Sequence, residues 1–159
     1  MRRCYIGLGA NLGAPAQQLR WALGQLRRLG DVPVQSSLYR SAPLGPADQP
    51  DYCNAVCRLD SSRSPTDLMR DLLAIEREAG RTRSAAKWGP RLLDLDLLHV
   101  ERVTMTHPDL CLPHPGIAQR SFVLVPLAEI APQLDLPGLG RVDELAARID
   151  RTGLTLWTD

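Results

Sequence analysis

The sequence of residues 81–98 is RTRSAAKWGPRLLDLDLL, and its two halves differ in character. The first half carries four cationic side chains and no acidic ones: Arg81, Arg83, Lys87 and Arg91. The second half is a leucine-rich run that contains Asp94 and Asp96. Successive side chains of a β-strand point to opposite faces of the sheet. The run therefore predicts a strand with both carboxylates on one face and leucines on the other.

The two carboxylates need a partner, because aspartate is poorly suited to strands and costly to bury unpaired. Magnesium ions are one such partner, since they take oxygen ligands and usually keep water and phosphate oxygens. The preceding cations suit the phosphates, because a guanidinium binds oxyanions through two hydrogen bonds. These parts are typical of phosphoryl transfer. The alternative is an edge strand with a solvated acidic face, and the motif alone leaves both open.

Length and composition indicate one soluble domain that comprises residues 1–159. The hydrophobic share of 44% and the charged share of 23% are ordinary for a globular protein. A net charge of +1 argues against a general nucleic-acid binder or a binder of anionic membranes. No apolar run approaches the ~18 residues of a membrane span, and the first residues do not form a signal peptide. We therefore expect a cytoplasmic protein without nucleic-acid or membrane partners.

The four cysteines form no CxxC pair. Cys53 and Cys57 lie in a predicted strand, where a rise of ~3.3 Å per residue separates them by about 13 Å, too far for a disulfide. Only a helix would bring them together as metal ligands. We expect small buried thiols instead.

Hydrophobic periodicity and turn residues predict the order strand, helix, strand, strand, helix, strand over residues 3–8, 15–29, 32–40, 52–59, 65–79 and 92–98. Ser64 should cap the second helix, while Gly30 and Gly80 should end the two helices. The predicted additions are a hairpin through residues 103–105, helices over 122–130 and 142–149, and a strand around 154–157. This order predicts an α+β fold of the ferredoxin-like kind, an antiparallel sheet with helices packed on it.

The predicted strand 52–59 has two different faces. Its core face carries small and apolar side chains: Cys53, Ala55, Cys57 and Leu59. The other face places Tyr52 next to Asn54, a ring and a carboxamide that can hold a flat polar heterocycle by stacking and hydrogen bonding. Alternatively, Tyr52 simply packs at the edge of the sheet.

Three other positions are notable. Glu76 precedes a predicted helix end, where an anion is unfavourable unless it meets a cation or a hydroxyl. His114 lies in the rigid turn PHPG, residues 113–116, which presents its imidazole. The glycines at residues 7, 9 and 13 miss the dinucleotide-binding spacing by one residue, and residues 9–13 are predicted as a loop.

Five segments together resemble the 6-hydroxymethyl-7,8-dihydropterin pyrophosphokinase family over residues 5–132. They are YIGLGANL at 5–12, PLGPADQPDYCN at 43–54, KWGPRLLDLDLL at 87–98, PHP at 113–115 and RSFVLVPL at 120–127. The resemblance implies a folate-pathway enzyme that transfers pyrophosphate from ATP to the pterin hydroxymethyl group and releases AMP. It also implies a ferredoxin-like monomer that uses two Mg²⁺ ions.

The resemblance also implies roles for individual residues. Catalysis is assigned to Arg81, Arg91, Asp94 and Asp96, of which the two aspartates bind the metal ions. Pterin contacts are assigned to Ser41, Leu44, Tyr52, Asn54, Trp88 and Phe122. ATP contacts are assigned to Glu76, Arg83, Lys87, Arg91, Leu97, His114 and Arg120. Leu73 and Cys111 replace polar residues common in the family, so the contacts to the base and ribose are left open.

Two alternatives to this function come from different classes. Asp94, Asp96 and His114 are the ligand types of a Zn²⁺ or Mn²⁺ hydrolase. A ferredoxin-like domain can also bind a ligand without catalysing a reaction.

Overall fold

The computed structural model describes residues 1–43, 49–82 and 92–158, without the side chains of residues 81 and 82. The strands are β1 (Arg2–Ala10), β2 (Asp31–Gln35), β3 (Tyr39–Ser41), β4 (Tyr52–Ser61), β5 (Asp94–Val100), β6 (Met105–His107), β7 (Leu110–Leu112), β8 (Asp135–Leu136), β9 (Gly140–Arg141) and β10 (Thr155–Leu156). The helices are α1 (Pro15–Leu26), α2 (Pro65–Thr82), α3 (Ser121–Ile130) and α4 (Val142–Arg148), and residues Ile117–Gln119 form a 3₁₀ turn.

The main sheet is antiparallel and has the strand order β10–β3–β4–β1–β5, with β2 paired to the distal half of β4. The two strand–helix–strand units of the chain thus interleave, since β4 and β5 lie on either side of β1. The predicted α+β, ferredoxin-like fold is confirmed.

The strand predicted over residues 32–40 is in fact two strands with a break at residues 36–38. At the break, Ser36 N–H still donates to the Val56 carbonyl at 2.8 Å, but Val56 N–H donates to Ser36 Oγ at 2.9 Å. The hydroxyl thus replaces a backbone carbonyl in the ladder, and the chain turns away from β4 before it resumes as β3.

One face of the sheet packs against α1 and α2 in an apolar core. The strands contribute alternate residues to this core, among them Ile6, Leu8, Leu95 and Leu97. The predicted core face of β4 is buried in the same cluster, together with the thiol of Cys4. None of the four cysteines, all of which are among the described residues, forms a disulfide, and burial raises the pKa of Cys4 to about 11 and that of Cys57 to about 12. Cys4, Cys53 and Cys57 are buried in the core, as expected. The expectation is wrong for Cys111, which is only half-buried.

On the opposite face, α3 and α4 cover the part of the sheet formed by Tyr5, Val56 and Leu98. The part around Gly7 and Gly9 instead lines a pocket. The predicted helix over residues 122–130 is confirmed as α3, the helix over 142–149 as α4, and the strand around 154–157 as β10.

The structure confirms the predicted cap at the start of α2 but not the two predicted helix ends at Gly30 and Gly80. Ser64 Oγ accepts a hydrogen bond from Asp67 N–H at 3.1 Å, so the predicted cap of α2 is confirmed. The predicted end of α2 at Gly80 is wrong, because the helix continues to Thr82. The left-handed cap at Gly30 is also wrong, since its φ angle is not positive. Gly30 is required there for close packing, because a Cβ atom would lie 2.2 Å from the Asp60 carbonyl oxygen.

The predicted hairpin through residues 103–105 is wrong as well. Residues 101–104 turn out of β5, and the hairpin forms between β6 and β7. Within the described ranges, no helix combines the length and apolarity needed to cross a membrane.

His99 is a buried imidazole on β5, 3% exposed and stacked on Tyr5 with 6.4 Å between the ring centroids. Burial lowers the pKa of His99, and the charge of Glu101 opposes this only in part. Below about pH 6.5 the unfolded chain therefore binds a proton that the folded chain does not. The free energy of unfolding must decrease as the pH falls through this range.

We predict that the free energy of unfolding of the wild type decreases more between about pH 7.5 and about pH 5 than that of His99→Phe, which retains a ring on Tyr5. Urea denaturation followed by circular dichroism measures both. The control is Leu156→Ala, a change at an exposed position without a titratable group, which should retain the wild-type pH dependence. Equal pH dependence of wild type and His99→Phe would contradict the prediction.

Candidate active site

A pocket of about 190 Å³ lies on the part of the sheet that α3 leaves open. Its walls come from β3 and β4 on one side, β5 on another, and the N-terminal end of α3. Seven residues that the sequence analysis assigned to the site line it: Ser41, Tyr52, Asn54, Asp94, Asp96, Arg120 and Phe122. The structure thus brings together residues that are as much as 81 positions apart in the chain (41 to 122).

The two aspartates lie on the pocket side of β5 and are partly buried, whereas Leu95 and Leu97 point into the core. The predicted two faces of this strand are therefore confirmed. β5 is at an edge of the sheet, so every other backbone N–H faces away from β1. The N–H of Leu95, between the two aspartates, donates to Glu76 Oε2 at 2.7 Å. Glu76 thus braces the strand that carries both carboxylates.

Gly7 and Gly9 form the floor of the pocket, and the sequence analysis did not assign them to the site. In the sheet, Gly9 lies between Asp94 and Asn54, while Gly7 pairs with Asp96 in the next row. Neither glycine has a positive φ angle. Glycine is therefore present at these two positions because it leaves room above the floor of the pocket, and not because the backbone turns there. The available signal was two glycines alternating on one face of a predicted strand, but residue 9 was placed in a loop.

The side chain of Asn54 is held in one orientation. It is 4% exposed, and its Nδ2 donates to Ser41 Oγ at 2.8 Å and to the Tyr39 carbonyl at 3.5 Å. Tyr52 lines the same pocket, and its burial and the nearby charge of Asp94 raise the pKa of its phenol. A carboxamide, a hydroxyl and a ring therefore face a common space beside the acidic pair.

His114 and Arg120 both lie near Asp96, His114 in the wall of a second pocket and Arg120 in the wall of the first. The backbone N–H of His114 donates to the Leu98 carbonyl at 2.7 Å, and Nδ1 of the ring accepts from the Gly116 N–H at 3.0 Å. These two hydrogen bonds fix the imidazole. Burial lowers the pKa of His114, and the cationic Arg120 lowers it further, against the opposing charge of Asp96. The ring is thus neutral near pH 7 and carries its proton on Nε2.

A second pocket of about 230 Å³ adjoins the first at Asp96, which lines both. Its wall is largely apolar: Met69, Leu72, Leu73, Leu95, Leu97, Pro108, Asp109, Leu110, Cys111, His114 and Pro115 complete the lining. Leu73 and Cys111, for which the sequence analysis left the contacts to the base and ribose open, both line this pocket. So do the predicted nucleotide contacts Leu97 and His114.

The remaining predicted site residues lie outside the described residues: Leu44, Arg83, Lys87, Trp88 and Arg91. The backbone of Arg81 belongs to α2, but its side chain is also outside that description.

The donor set of the site suits a hard cation. Across the described ranges, no three His, Cys, Asp or Glu side chains converge on one point, so Asp94, Asp96 and His114 do not assemble a zinc site. Two carboxylates beside an open pocket instead match Mg²⁺, which is bound through one or two carboxylates while phosphates and water complete its shell.

The fold and site define a class. This is an α+β protein whose sheet carries two carboxylates between a polar, aromatic pocket and an apolar pocket. Such an arrangement suits an enzyme that transfers a group from a ligand in one pocket to a ligand in the other. The model of the 7,8-dihydro-6-hydroxymethylpterin-pyrophosphokinase (HPPK) family matches residues 5–132. The chain belongs to this family and is a pyrophosphokinase of folate biosynthesis, as its sequence predicted.

Close relatives support this membership. The 2-amino-4-hydroxy-6-hydroxymethyldihydropteridine pyrophosphokinase of Pseudomonas aeruginosa is 44% identical over 156 residues, which cover 97% of this chain and 96% of the relative. The Haemophilus influenzae enzyme of the same name is 44% identical over 147 residues, 91% of each chain.

Solved structures match the fold at low identity. The crystal structure of Plasmodium falciparum HPPK-DHPS with SDX-DHP has a TM-score of 0.70 at 12% identity, over 93% of this chain and 43% of that one. A structure of HPPK-DHPS in complex with substrates has a TM-score of 0.73 at 10% identity, over 92% of this chain and 43% of that one. The chain thus spans less than half of these longer proteins, and the likeness concerns the fold alone.

We predict that Gly9→Ala weakens pterin binding by roughly ten-fold or more, since a methylene-sized mismatch in a pocket costs about 1–3 kcal/mol. The added methyl group would occupy the floor, 3.5 Å from Asn54 Oδ1 and 4.0 Å from the Tyr52 ring, without displacing either. Isothermal titration with 6-hydroxymethylpterin measures the effect. Gly24→Ala is the matched control, because its methyl group would meet nothing within 4 Å on α1. Unchanged affinity in Gly9→Ala would show that this floor is not a pterin site.

Proposed function

We propose that this chain transfers the terminal pyrophosphate of ATP to the hydroxymethyl oxygen of 6-hydroxymethyl-7,8-dihydropterin and releases AMP. The pterin would occupy the first pocket and the nucleoside of ATP the second. The observation that carries the proposal is the position of Asp96, whose side chain lines both pockets. The reacting phosphates would then lie over the acidic pair, between the two substrates.

The first pocket suits a pterin by shape and by polarity. Tyr52 and Phe122 line it from β4 and from α3, so a flat ring entering between them can stack on aromatic surfaces. Asn54 and Ser41 offer hydrogen bonds to the polar edge of the ring. Because the Asn54 amide is already fixed, little conformational entropy is lost on binding.

Asp94 and Asp96 would hold two Mg²⁺ ions. When bound, these ions neutralise charge on the phosphates and acidify the attacking hydroxyl group, so no strong general base is needed. The role of the protein is to fix the two carboxylates on a rigid strand. The brace from Glu76 to Leu95 N–H serves that role.

On the nucleotide side, the second pocket offers mainly apolar surface for the base, to which Leu73 and Cys111 contribute. We therefore propose that the base is held largely by shape. The Nε2–H of His114 and the guanidinium of Arg120 are available to phosphate oxygens near Asp96.

Attack of the hydroxyl oxygen on the β-phosphorus forms one O–P bond and breaks the bond from that phosphorus to the α,β-bridging oxygen, which leaves with AMP, while the hydroxyl proton is released to water. Charge develops on the phosphate oxygens as the bond breaks. Arg81 and Arg91 are proposed to neutralise it. Arg83 and Trp88 are proposed to close over the substrates and exclude water, while Lys87 contacts ATP and Leu44 contacts the pterin.

We also propose that residues 1–159 form one domain that acts as a monomer in the cytoplasm. The pairing of β10 with β3 supports the first point, because the end of the chain joins the same sheet as its start. The lack of disulfides among the described cysteines supports a reducing compartment.

We predict that the chain incubated with ATP, Mg²⁺ and 6-hydroxymethyl-7,8-dihydropterin produces AMP and the pterin diphosphate in equal amounts. Anion-exchange chromatography separates AMP, ADP and phosphate. ADP would indicate ordinary phosphoryl transfer, and free phosphate would indicate a hydrolase. Either product in place of AMP would contradict the proposal.

We predict that Asp94→Asn and Asp96→Asn each lower kcat by roughly 10³-fold or more, the scale of single charge-neutralising groups in phosphoryl transfer. The melting temperature and the pterin affinity should change little, because the amide has the shape of the carboxylate. Asp31→Asn, at an exposed position of β2, is the control and should retain full activity. An active Asp94→Asn enzyme would remove Asp94 from the metal site.

A further inference from the structure

The carboxylate of Glu129, on the last turn of α3, accepts three hydrogen bonds, two from Ser37 in the break between β2 and β3 and one from Tyr39, the first residue of β3. Its Oε2 accepts from Ser37 N–H at 2.8 Å and from Ser37 Oγ at 3.1 Å, and its Oε1 accepts from the Tyr39 hydroxyl. Glu129 is exposed and lines neither pocket. The mechanism described above does not use it.

Glu129 contacts β3 at its first residue, Tyr39, and the last residue of β3, Ser41, lines the first pocket. β3 is only three residues long, so pairing to its neighbours fixes it weakly. Within it, the Tyr39 carbonyl and Ser41 Oγ both accept from Asn54 Nδ2. A shift of Tyr39 would therefore move the acceptors that orient the Asn54 amide.

The helix that carries Glu129 also carries the opposite wall of the pocket. Phe122 lies in the first turn of α3, seven residues and thus two turns before Glu129, on the same side of the helix. This helix packs against β3 and β4. Glu129 consequently joins the two walls between which the pterin is proposed to bind, at the end remote from the pocket.

We propose that Glu129 is a positioning residue for the pterin site, which acts through Tyr39 to set the Asn54–Ser41 pair relative to Phe122. This inference rests on the proposed function. A carboxylate suits the role, because it accepts from a backbone N–H and a phenol at once through charge-assisted hydrogen bonds.

The protonation of the phenol supports this role. Burial, followed by the hydrogen bond to Glu129, raises the pKa of Tyr39 to about 12. The hydroxyl therefore remains a donor to Glu129 throughout the neutral range.

The test compares Glu129→Ala, Glu129→Gln and Tyr39→Phe with the wild type. Glu129→Ala should raise the Kd and KM for the pterin on the order of ten-fold, as small misplacements of binding groups do. The KM for ATP should stay within about two-fold, because the second pocket shares no residue with this contact. Tyr39→Phe should show a smaller change of the same kind. Glu129→Gln should recover most of the affinity, since its amide oxygen still accepts from Ser37 N–H.

Glu144→Ala, an exposed glutamate on α4, is the matched control and should leave both KM values unchanged. A folded Glu129→Ala enzyme with wild-type pterin affinity would overturn the inference, as would an equal loss for pterin and ATP. If Glu129→Ala does not fold, Tyr39→Phe decides: unchanged pterin affinity overturns the inference. Failure of the proposed function is distinct, because the wild type itself would then neither bind the pterin nor form AMP.

Discussion

The site depends on one geometric constraint, the lateral alignment of β5, β1 and β4. Asp94, Gly9 and Asn54 lie side by side across these strands, and the next row contains Asp96 and Gly7. Alternation sends the leucines of β5 into the core, so the burial that stabilises the sheet also fixes the direction of both carboxylates. A shift of one residue in register would bury the aspartates and expose the leucines. Stability and function therefore rest on the same pairing.

Two glutamates outside the walls of the first pocket support this alignment by similar means. Glu76 accepts from the backbone N–H between the two aspartates, and Glu129 accepts from the backbone N–H of Ser37 at the break before β3. Each of these glutamates lies on a helix. Its carboxylate accepts a hydrogen bond from a backbone N–H that is not paired within the sheet. Sites whose supporting residues are themselves hydrogen-bonded hold their geometry more closely than sites on free loops. The two helices thus act as braces for the acidic side of the pocket and for the side proposed to bind the pterin, respectively.

Much of the fold followed from local pattern, and the rest depended on distant contacts. Alternation predicted both faces of β4 and β5, and the cap at Ser64 predicted the start of α2, because these signals act over a few residues. The break at Ser36 could not be predicted, since it depends on Val56 in another strand. The family resemblance identified the pocket walls, but not its floor. The floor requires the strand register, which places Gly9 between two side chains that lie far away in the sequence.

The most direct test of this arrangement is a crystal structure with Mg²⁺, a non-hydrolysable ATP analogue and 6-hydroxymethylpterin. We expect the metal ions to be bound by Asp94 and Asp96, the pterin to lie between Tyr52 and Phe122, and the nucleoside to lie in the pocket beyond Asp96. Metal ions bound elsewhere, with the two carboxylates in contact with neither ion nor phosphate, would contradict it.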